Sequence, residues 1–207
     1  MPYASLFLIT ALFAPPLWPS ERTAPFLQDV RTEFTAANGL PADPVNDVCL
    51  RRNGAVIAAT AAGLAVREED GWQVLAEPPF EPLHMAAAAD AIYIAGEHSV
   101  GLYQEGAWAT FPSFEERAVT CLFATPASKG LLVGTDQGLY TYTDGELVPV
   151  PSPAGAVLAI AHSKEGELAL GTPDGLYTRA RAATEWRAAQ PENEEHRWEP
   201  RDVAAVC

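Results

Sequence analysis

Histidine and cysteine, the side chains most used for metal ligation and nucleophilic chemistry, are scarce in this chain: four of the first and three of the second in 207 residues. Cys49, Cys121 and Cys207 form no Cys-x-x-Cys pair, which excludes the usual zinc and thiol-redox patterns. Cys49 and Cys121 read as small buried hydrophobes. The odd count would leave one thiol unpaired in an exported protein. His84, His98, His162 and His196 are scattered, with neither His-x-His nor His-x-x-x-His spacing, so no metal and no cofactor is expected. The Gly-x-Ser-x-Gly, P-loop and Gly-x-Gly-x-x-Gly strings are missing too. No catalytic residue is assigned on these grounds, no ligand-binding residue can be named, and the chain is not expected to be an enzyme.

Positive charge is also short. Lys and Arg number 13 against 27 Asp and Glu, giving a net charge of −14 and a pI near 4.6. Such a surface repels phosphate backbones, so nucleic acid is not an expected partner. Charged residues make up only 19% and apolar residues 48%, which argues for a folded chain with a substantial core. Only one long hydrophobic run occurs, Ala4 to Ala14, broken by Ser5 and Thr10 and closed by Pro15-Pro16. It suits the apolar region of an export signal and is too short to span a bilayer. Residues 1–25 are therefore expected to be a signal peptide, although no Lys or Arg precedes the run. A mis-assigned start or a membrane-proximal leader are the alternatives. The expected location is periplasmic or extracellular, with no membrane span in the chain.

Helical spacing of apolar residues is absent as well. What takes its place is repetition. Residues 131–143 read LLVGTDQGLYTYT and residues 168–180 read LALGTPDGLYTRA. Gly-Leu pairs recur at Gly63-Leu64, Gly101-Leu102, Gly138-Leu139 and Gly175-Leu176, a period near 40 that fits a propeller blade. Within the fourth copy, Ala156–Ala161, Glu167–Leu170, Leu176–Thr178 and Glu185–Arg187 read as four short strands joined by turns. Asn53-Gly54 marks a hairpin in the first copy. The second copy is the most degraded, its first strand being the alanine-rich HMAAAA, where tertiary context has to override helix propensity. The fold class expected is all-β: a partial β-propeller of four consecutive four-stranded blades at about 45–76, 82–112, 117–150 and 156–190. Flanking strands at about 31–35 and 202–206 would belong to incomplete blades. The incomplete propeller spans residues 26–207, and the chain reads as the N-terminal part of a longer ring.

The strings GLPADPVNDVCLRRNGAVIAATAAGL and AVLAIAHSKEGELALGTPDGL resemble the two-component regulator propeller repeat. Gly39, Leu40, Pro41, Val45, Val48, Gly54, Val56, Thr60, Gly63 and Leu64 fall on its pattern, as do Val157, Ile160, Gly166, Leu168, Gly171, Thr172, Gly175 and Leu176. Asp43, Arg51, Ser163, Ile57, Ala169 and Ala59 depart from it. The resemblance implies a periplasmic ligand-binding sensor propeller ahead of a membrane span and a downstream signalling module. Its ligand would be an unknown small molecule or glycan. A fragment of a propeller enzyme acting on glycans, or a protein-interaction scaffold, are the other readings. Oligomeric state is not legible.

Three further features are candidate sites. Asp136 and Asp174 follow Gly-Thr in what look like equivalent turns and are expected to bond their own backbone. Trp72, Trp108 and Trp186 recur near the fourth strand, which favours packing between blades over sugar stacking. Glu192, Glu194, Glu195, His196 and Glu199 read as a solvated loop.

Overall fold

Runs such as Val56–Thr60 and Leu131–Thr135 carry apolar residues on both faces and end on a threonine, two turn residues and a glycine. That pattern suits a strand packed on both sides and then reversed by a tight hairpin. The computed structural model describes residues 32–189, apart from Asp70, Ala76, Ala89, Asp90, Glu115, residues 126–129, Asp144, Gly145 and Ala154. Of these residues, those from Phe34 on form one unit.

Among the described residues, sixteen strands make four antiparallel sheets, each paired in chain order. Blade 1 holds β1 (Val45–Leu50), β2 (Val56–Thr60), β3 (Gly63–Glu68) and β4 (Gly71–Val74). Blade 2 holds β5 (His84–Ala88), β6 (Ala91–Ala95), β7 (Val100–Gln104) and β8 (Ala107–Thr110). Blade 3 holds β9 (Val119–Ala124), β10 (Leu131–Thr135), β11 (Gly138–Thr143) and β12 (Glu146–Val150). Blade 4 holds β13 (Ala159–His162), β14 (Leu168–Thr172), β15 (Gly175–Arg179) and β16 (Arg187–Ala188). The first strands of successive blades meet, β1 with β5, β5 with β9 and β9 with β13, as the inner strands of a propeller do. The alanine-rich first strand of blade 2 is indeed a strand, its residues pairing from His84 with Ala95 to Ala88 with Ala91.

Three apolar layers hold the blades face to face. Ile57, Ala59 and Leu64 pack on Met85, Ile92 and Ile94 between blades 1 and 2. Tyr93, Ala95 and Val100 meet Leu131 and Val133 between blades 2 and 3. Leu132 and Leu139 meet Val157, Ile160 and Leu170 between blades 3 and 4. Alternation along each strand feeds both layers at once: Val133 points to blade 2 and Leu132 to blade 4. Burying each Val, Leu, Ile or Met of these layers contributes about 1.5–3 kcal/mol, so the inter-blade layers, and not any single hairpin, carry the fold.

The four Gly-Leu pairs do not all sit at one place. Leu64, Leu139 and Leu176 pair with Ala59, Gly134 and Gly171, and each follows a glycine at positive φ (+139°, +144° and +137° for Gly63, Gly138 and Gly175). In blade 2 the residue that pairs with Ala95 and faces the next blade is Val100, preceded by Ser99. Gly101-Leu102 therefore lies two residues further along. Gly101 has a different reason to be glycine: a Cβ there would come within 3.2 Å of Phe80 Cζ. Phe80, from the linker, fills the room that Tyr140 occupies in blade 3, and it also presses on Gly96, where the other blades place Thr60, Thr135 and Thr172.

Other boundaries shift slightly. β13 starts at Ala159 instead of Ala156: the Val157 amide is turned to the Thr135 carbonyl of blade 3, and Leu158 is the first to bond β14, at the Gly171 carbonyl. β16 starts at Arg187 instead of Glu185, because Trp186 turns inward onto Pro151. Thr32–Thr35, where a flanking strand was expected, take part in no strand, and Ala36–Asn38 form a 3-10 turn closed by Gly39. A strand needs a ladder partner, and none stands beside that segment among the described residues. The expected signal peptide and the flanking strand at 202–206 lie outside the described residues.

Candidate functional site

Antiparallel topology sorts the connections to two ends of the blades. One end carries the turns between first and second strands, and these are local. Gly54 donates to Arg51, Arg51 to Ala55, and Ser163 pairs with Gly166 and Glu167 through its carbonyl, amide and hydroxyl. The other end carries the second-to-third-strand turns and the linkers between blades, and there the bonds run between segments. Phe114 donates to the His98 carbonyl (2.8 Å) and Val119 to that of Glu97 (2.8 Å). His98 Nδ1 lies 2.9 Å from the Arg117 carbonyl. Gln137 Nε2 donates to the Glu116 carbonyl (2.6 Å). Asp136 and Ala118 exchange two bonds, amide to carbonyl and amide to Oδ1, both at 3.0 Å.

This linker end is thus a braced surface, and it is acidic. Asp43, Glu81, Glu97, Glu116, Asp136 and Asp174 are all exposed there. Arg117 supplies the nearby cation and stacks over Tyr140, its Cζ 5.2 Å from the ring centre. Asp43 and Asp136 already accept backbone amides and Glu97 lies 3.6 Å from His98 Nε2; Glu81, Glu116 and Asp174 are exposed carboxylates able to accept hydrogen bonds from a ligand.

The expected roles are redistributed in part. Asp136 does not bond its own turn; its carboxylate holds Ala118, at the start of its blade. Asp136 and Asp174 are not equivalent either, since Asp174 stands one place later, beside Gly175. The turn itself is closed by threonine: the buried hydroxyls of Thr60, Thr135 and Thr172 each donate to a glycine carbonyl at 2.9 Å. Packing between blades holds for Trp108 and Trp186, which lie against the layers between blades 1 and 2 and between blades 3 and 4, whereas Trp72 packs on Leu40, Ala58 and Ala65. Each also lies against a third-strand partner of its own blade, Trp72 against Arg67, Trp108 against Tyr103 and Trp186 against Arg179. Arg51, Arg52 and His162 stay apart from the linker end, and His162 stacks on Phe123. The acidic cluster from Glu192 to Glu199 lies outside the described residues. Among the described residues, no group of three or more His, Cys, Asp or Glu is placed to hold a metal ion, and no helix is long and apolar enough to cross a membrane.

Sequence reading missed the inner-strand polar contacts. Asn46 and Thr120 occupy equivalent bulge positions, and both side chains donate to the carbonyl just before the next blade, Pro82 and Val157 respectively. The signal was available as a polar residue in an apolar inner strand. One place on, Asp47, His84 and Cys121 are equivalent, each facing the following blade.

Two of these groups titrate away from their ordinary values. Burial lowers the pKa of His84, against the opposing pull of the Asp47 carboxylate. The folded state then favours the neutral ring, so stability is present above the unfolded value of about 6.5 and is lost as pH falls through it. Denaturant melts between pH 7.5 and 5 should show a smaller loss for His84→Gln than for the native chain; equal losses would remove His84 as the cause. Burial also raises the Cys49 and Cys121 thiols to about 11, from 9.0. Neither is a nucleophile at neutral pH. A maleimide at pH 7.5 should label both only after unfolding, and the Cys49→Ala/Cys121→Ala chain should lose less stability between pH 9 and 11, because only the unfolded thiols ionise early in that window.

No family model matches the chain, and no curated protein matches it. Solved structures do. The extracellular domain of a protein assigned as a hybrid two-component system of B. thetaiotaomicron superposes with a TM-score of 0.53 at 14% identity. That match covers 84% of this chain and 31% of the other. A second such domain from the same organism gives 0.63 at 11%, covering 81% and 24%. The computationally designed Ika8 protein gives 0.52 at 15%, covering 70% and 48%. This chain spans less than half the length of each. At these identities the likeness establishes the fold, and it agrees with the two-component propeller resemblance read from the repeats.

Proposed function

We propose that the chain is a non-enzymatic, ligand-binding stretch of an extracytoplasmic sensory propeller. The observation that carries this reading is the superposition of more than four-fifths of the chain on extracellular domains of two-component systems, joined to the repeat pattern that resembles the same group. The ligand site is the linker end, where turns and linkers are cross-bonded and an array of carboxylates is exposed. Its charge disfavours anions. A neutral, hydroxyl-rich molecule such as an oligosaccharide suits it, because carboxylates accept hydroxyl hydrogen bonds. Binding would act by favouring one of two blade arrangements, which a downstream signalling module reads.

The test is thermal melting of the chain against neutral oligosaccharides and polyols, followed by hydrogen exchange. A saturable rise in Tm, with protection at Glu97-His98, Glu116-Arg117 and Asp136-Gln137, is expected. Protection confined to the opposite turns at Arg51–Asn53 and Ser163–Glu167 would overturn the site. Cleavage of the oligosaccharide would overturn the non-enzymatic reading.

A further inference from the structure

An asparagine followed by glycine carries its own electrophile and its own nucleophile. The amide nitrogen of the next residue can attack the side-chain Cγ, and glycine, lacking a Cβ, opposes that approach least. The chain holds two such pairs, Asn38-Gly39 and Asn53-Gly54, and the fold treats them differently. At Asn38 the approach is blocked. Its Oδ1 accepts the Thr35 amide at 3.0 Å and the Thr35 hydroxyl at 3.2 Å. Gly39 is pressed against β4, where an added Cβ would stand 3.0 Å from the Trp72 carbonyl oxygen. Leu40, next in the chain, is buried against Ala58 and Ala65, and its amide donates to Thr35. Turning the Gly39 peptide towards Cγ would break these bonds and pull Leu40 out of its packing.

At Asn53 nothing comparable holds the pair. Asn53 and Gly54 are both exposed at the tip of the β1–β2 hairpin. Beyond the adjoining residues, no atom lies within 4 Å of where a Gly54 Cβ would be. The Gly54 amide donates to the Arg51 carbonyl at 2.9 Å, as the Gly39 amide does to that of Ala36 at 3.2 Å, so the nucleophile is engaged at both sites. The difference lies with the electrophile and the room around it. Asn53 Oδ1 accepts one bond, from the Ala55 amide at 3.1 Å. That bond folds the side chain back across the Gly54 peptide and draws electrons from the carbonyl to be attacked.

We propose that Asn53-Gly54 is a self-modification site of the folded chain, which converts this exposed hairpin tip to an aspartyl or isoaspartyl turn while Asn38-Gly39 stays intact. The Gly54 amide gives its proton to hydroxide, and its nitrogen bonds to Asn53 Cγ. Ammonia leaves with a proton from water, and a five-membered imide ring remains. Water then opens the ring. Addition at Cγ gives an ordinary aspartate, and addition at the main-chain carbonyl routes the chain through Cβ and Cγ as isoaspartate. The net change is one water gained and one ammonia lost. Isoaspartate puts one extra atom into the main chain before the Gly54 nitrogen, so the Gly54–Arg51 and Arg51–Ala55 bonds that close the tip lose their spacing. Either product adds a negative charge beside Arg51 and Arg52, at the end of the blades away from the linkers.

The test ages the chain at mildly alkaline pH, with and without urea, then digests it with pepsin in acid and maps it by mass spectrometry. In urea the two asparagines should convert at like rates. In the folded chain Asn53 should convert at least about ten-fold faster than Asn38, which reacts only through local opening. Hydrogen exchange on the aged chain should show lost protection at the Arg51, Gly54 and Ala55 amides, with Ile57–Ala59 unchanged. Asn53→Asp carries the charge without the extra main-chain atom and should keep that protection. Asn53→Gln lacks the five-membered route and should not convert. Asn38 reacting as fast as Asn53 in the folded chain overturns the proposal. So does an Asn53 that is inert when folded and reactive in urea, or a mass gain at this turn that persists in Asn53→Gln. None of these outcomes depends on a ligand, so they separate from the test of the sensory reading.

Discussion

Gly134→Ala is expected to lower stability by about 2–3 kcal/mol, although alanine occupies the equivalent position in two other blades. Ala59 and Ala95 stand where Gly134 does, each opposite the inner strand and facing the next blade. At Gly134 an added Cβ would run into Cys121 Sγ and would lie 3.0 Å from the Val157 carbonyl oxygen and 3.1 Å from Val157 Cγ1. The sulfur could shift. The carbonyl cannot, because Thr120 holds it through a hydrogen bond and Val157 itself is clamped to the Thr135 carbonyl. The cost should therefore divide into two parts. Cys121→Ala on its own deletes a mostly buried sulfur and is mildly destabilising. In the Gly134→Ala background it should recover part of the loss, a coupling of about 1 kcal/mol in a double-mutant cycle. Urea melts of the four chains measure it. Strict additivity would mean that the sulfur is not the obstacle, and a neutral Gly134→Ala would mean that the blade 3–blade 4 layer is looser than described.

That contrast between blades also explains how much could be read in advance. Strand existence was legible, because a glycine at positive φ must end the turn at Gly63, Gly138 and Gly175, and the threonine before each turn closes it with its hydroxyl. Blade 2 misled because Phe80 took over space that a tyrosine fills in blade 3, which removed the need for the usual threonine and put a glycine two places late. Packing substitutes across segments in this way without leaving a local mark. The tryptophans were legible as packing because their partners recur at a fixed cross-strand offset. The linker end was not. Asp136 bonds Ala118, and His98 lies against Arg117, contacts set by how turns and linkers come together in space and invisible to any one repeat.

Asp47→Ala is the second large effect expected, about 2–3 kcal/mol, from a residue that is neither catalytic nor in the apolar core. Its Oδ2 accepts the Met85 amide at 2.6 Å and its Oδ1 the amide of Val48 at 2.7 Å. The first bond crosses between the inner strands of blades 1 and 2. These inner strands have no neighbour on their axial side within their own sheets, so Met85 relies on a side chain from the adjacent blade. Met85 is buried, and deleting the carboxylate leaves its amide without that acceptor, which costs more than the bond itself contributes. Hydrogen exchange separates this from general loosening: at Asp47→Ala the Met85 amide should lose protection well beyond the drop in global stability, while Leu131–Val133 in blade 3 should track it. Asp47→Asn keeps one amide oxygen as acceptor and should recover about half the loss. If Asn were as damaging as Ala, the negative charge beside His84, and not the bridge to Met85, would be what the position supplies. If the Met85 amide stayed protected in both, the carboxylate would not be the stitch between these blades.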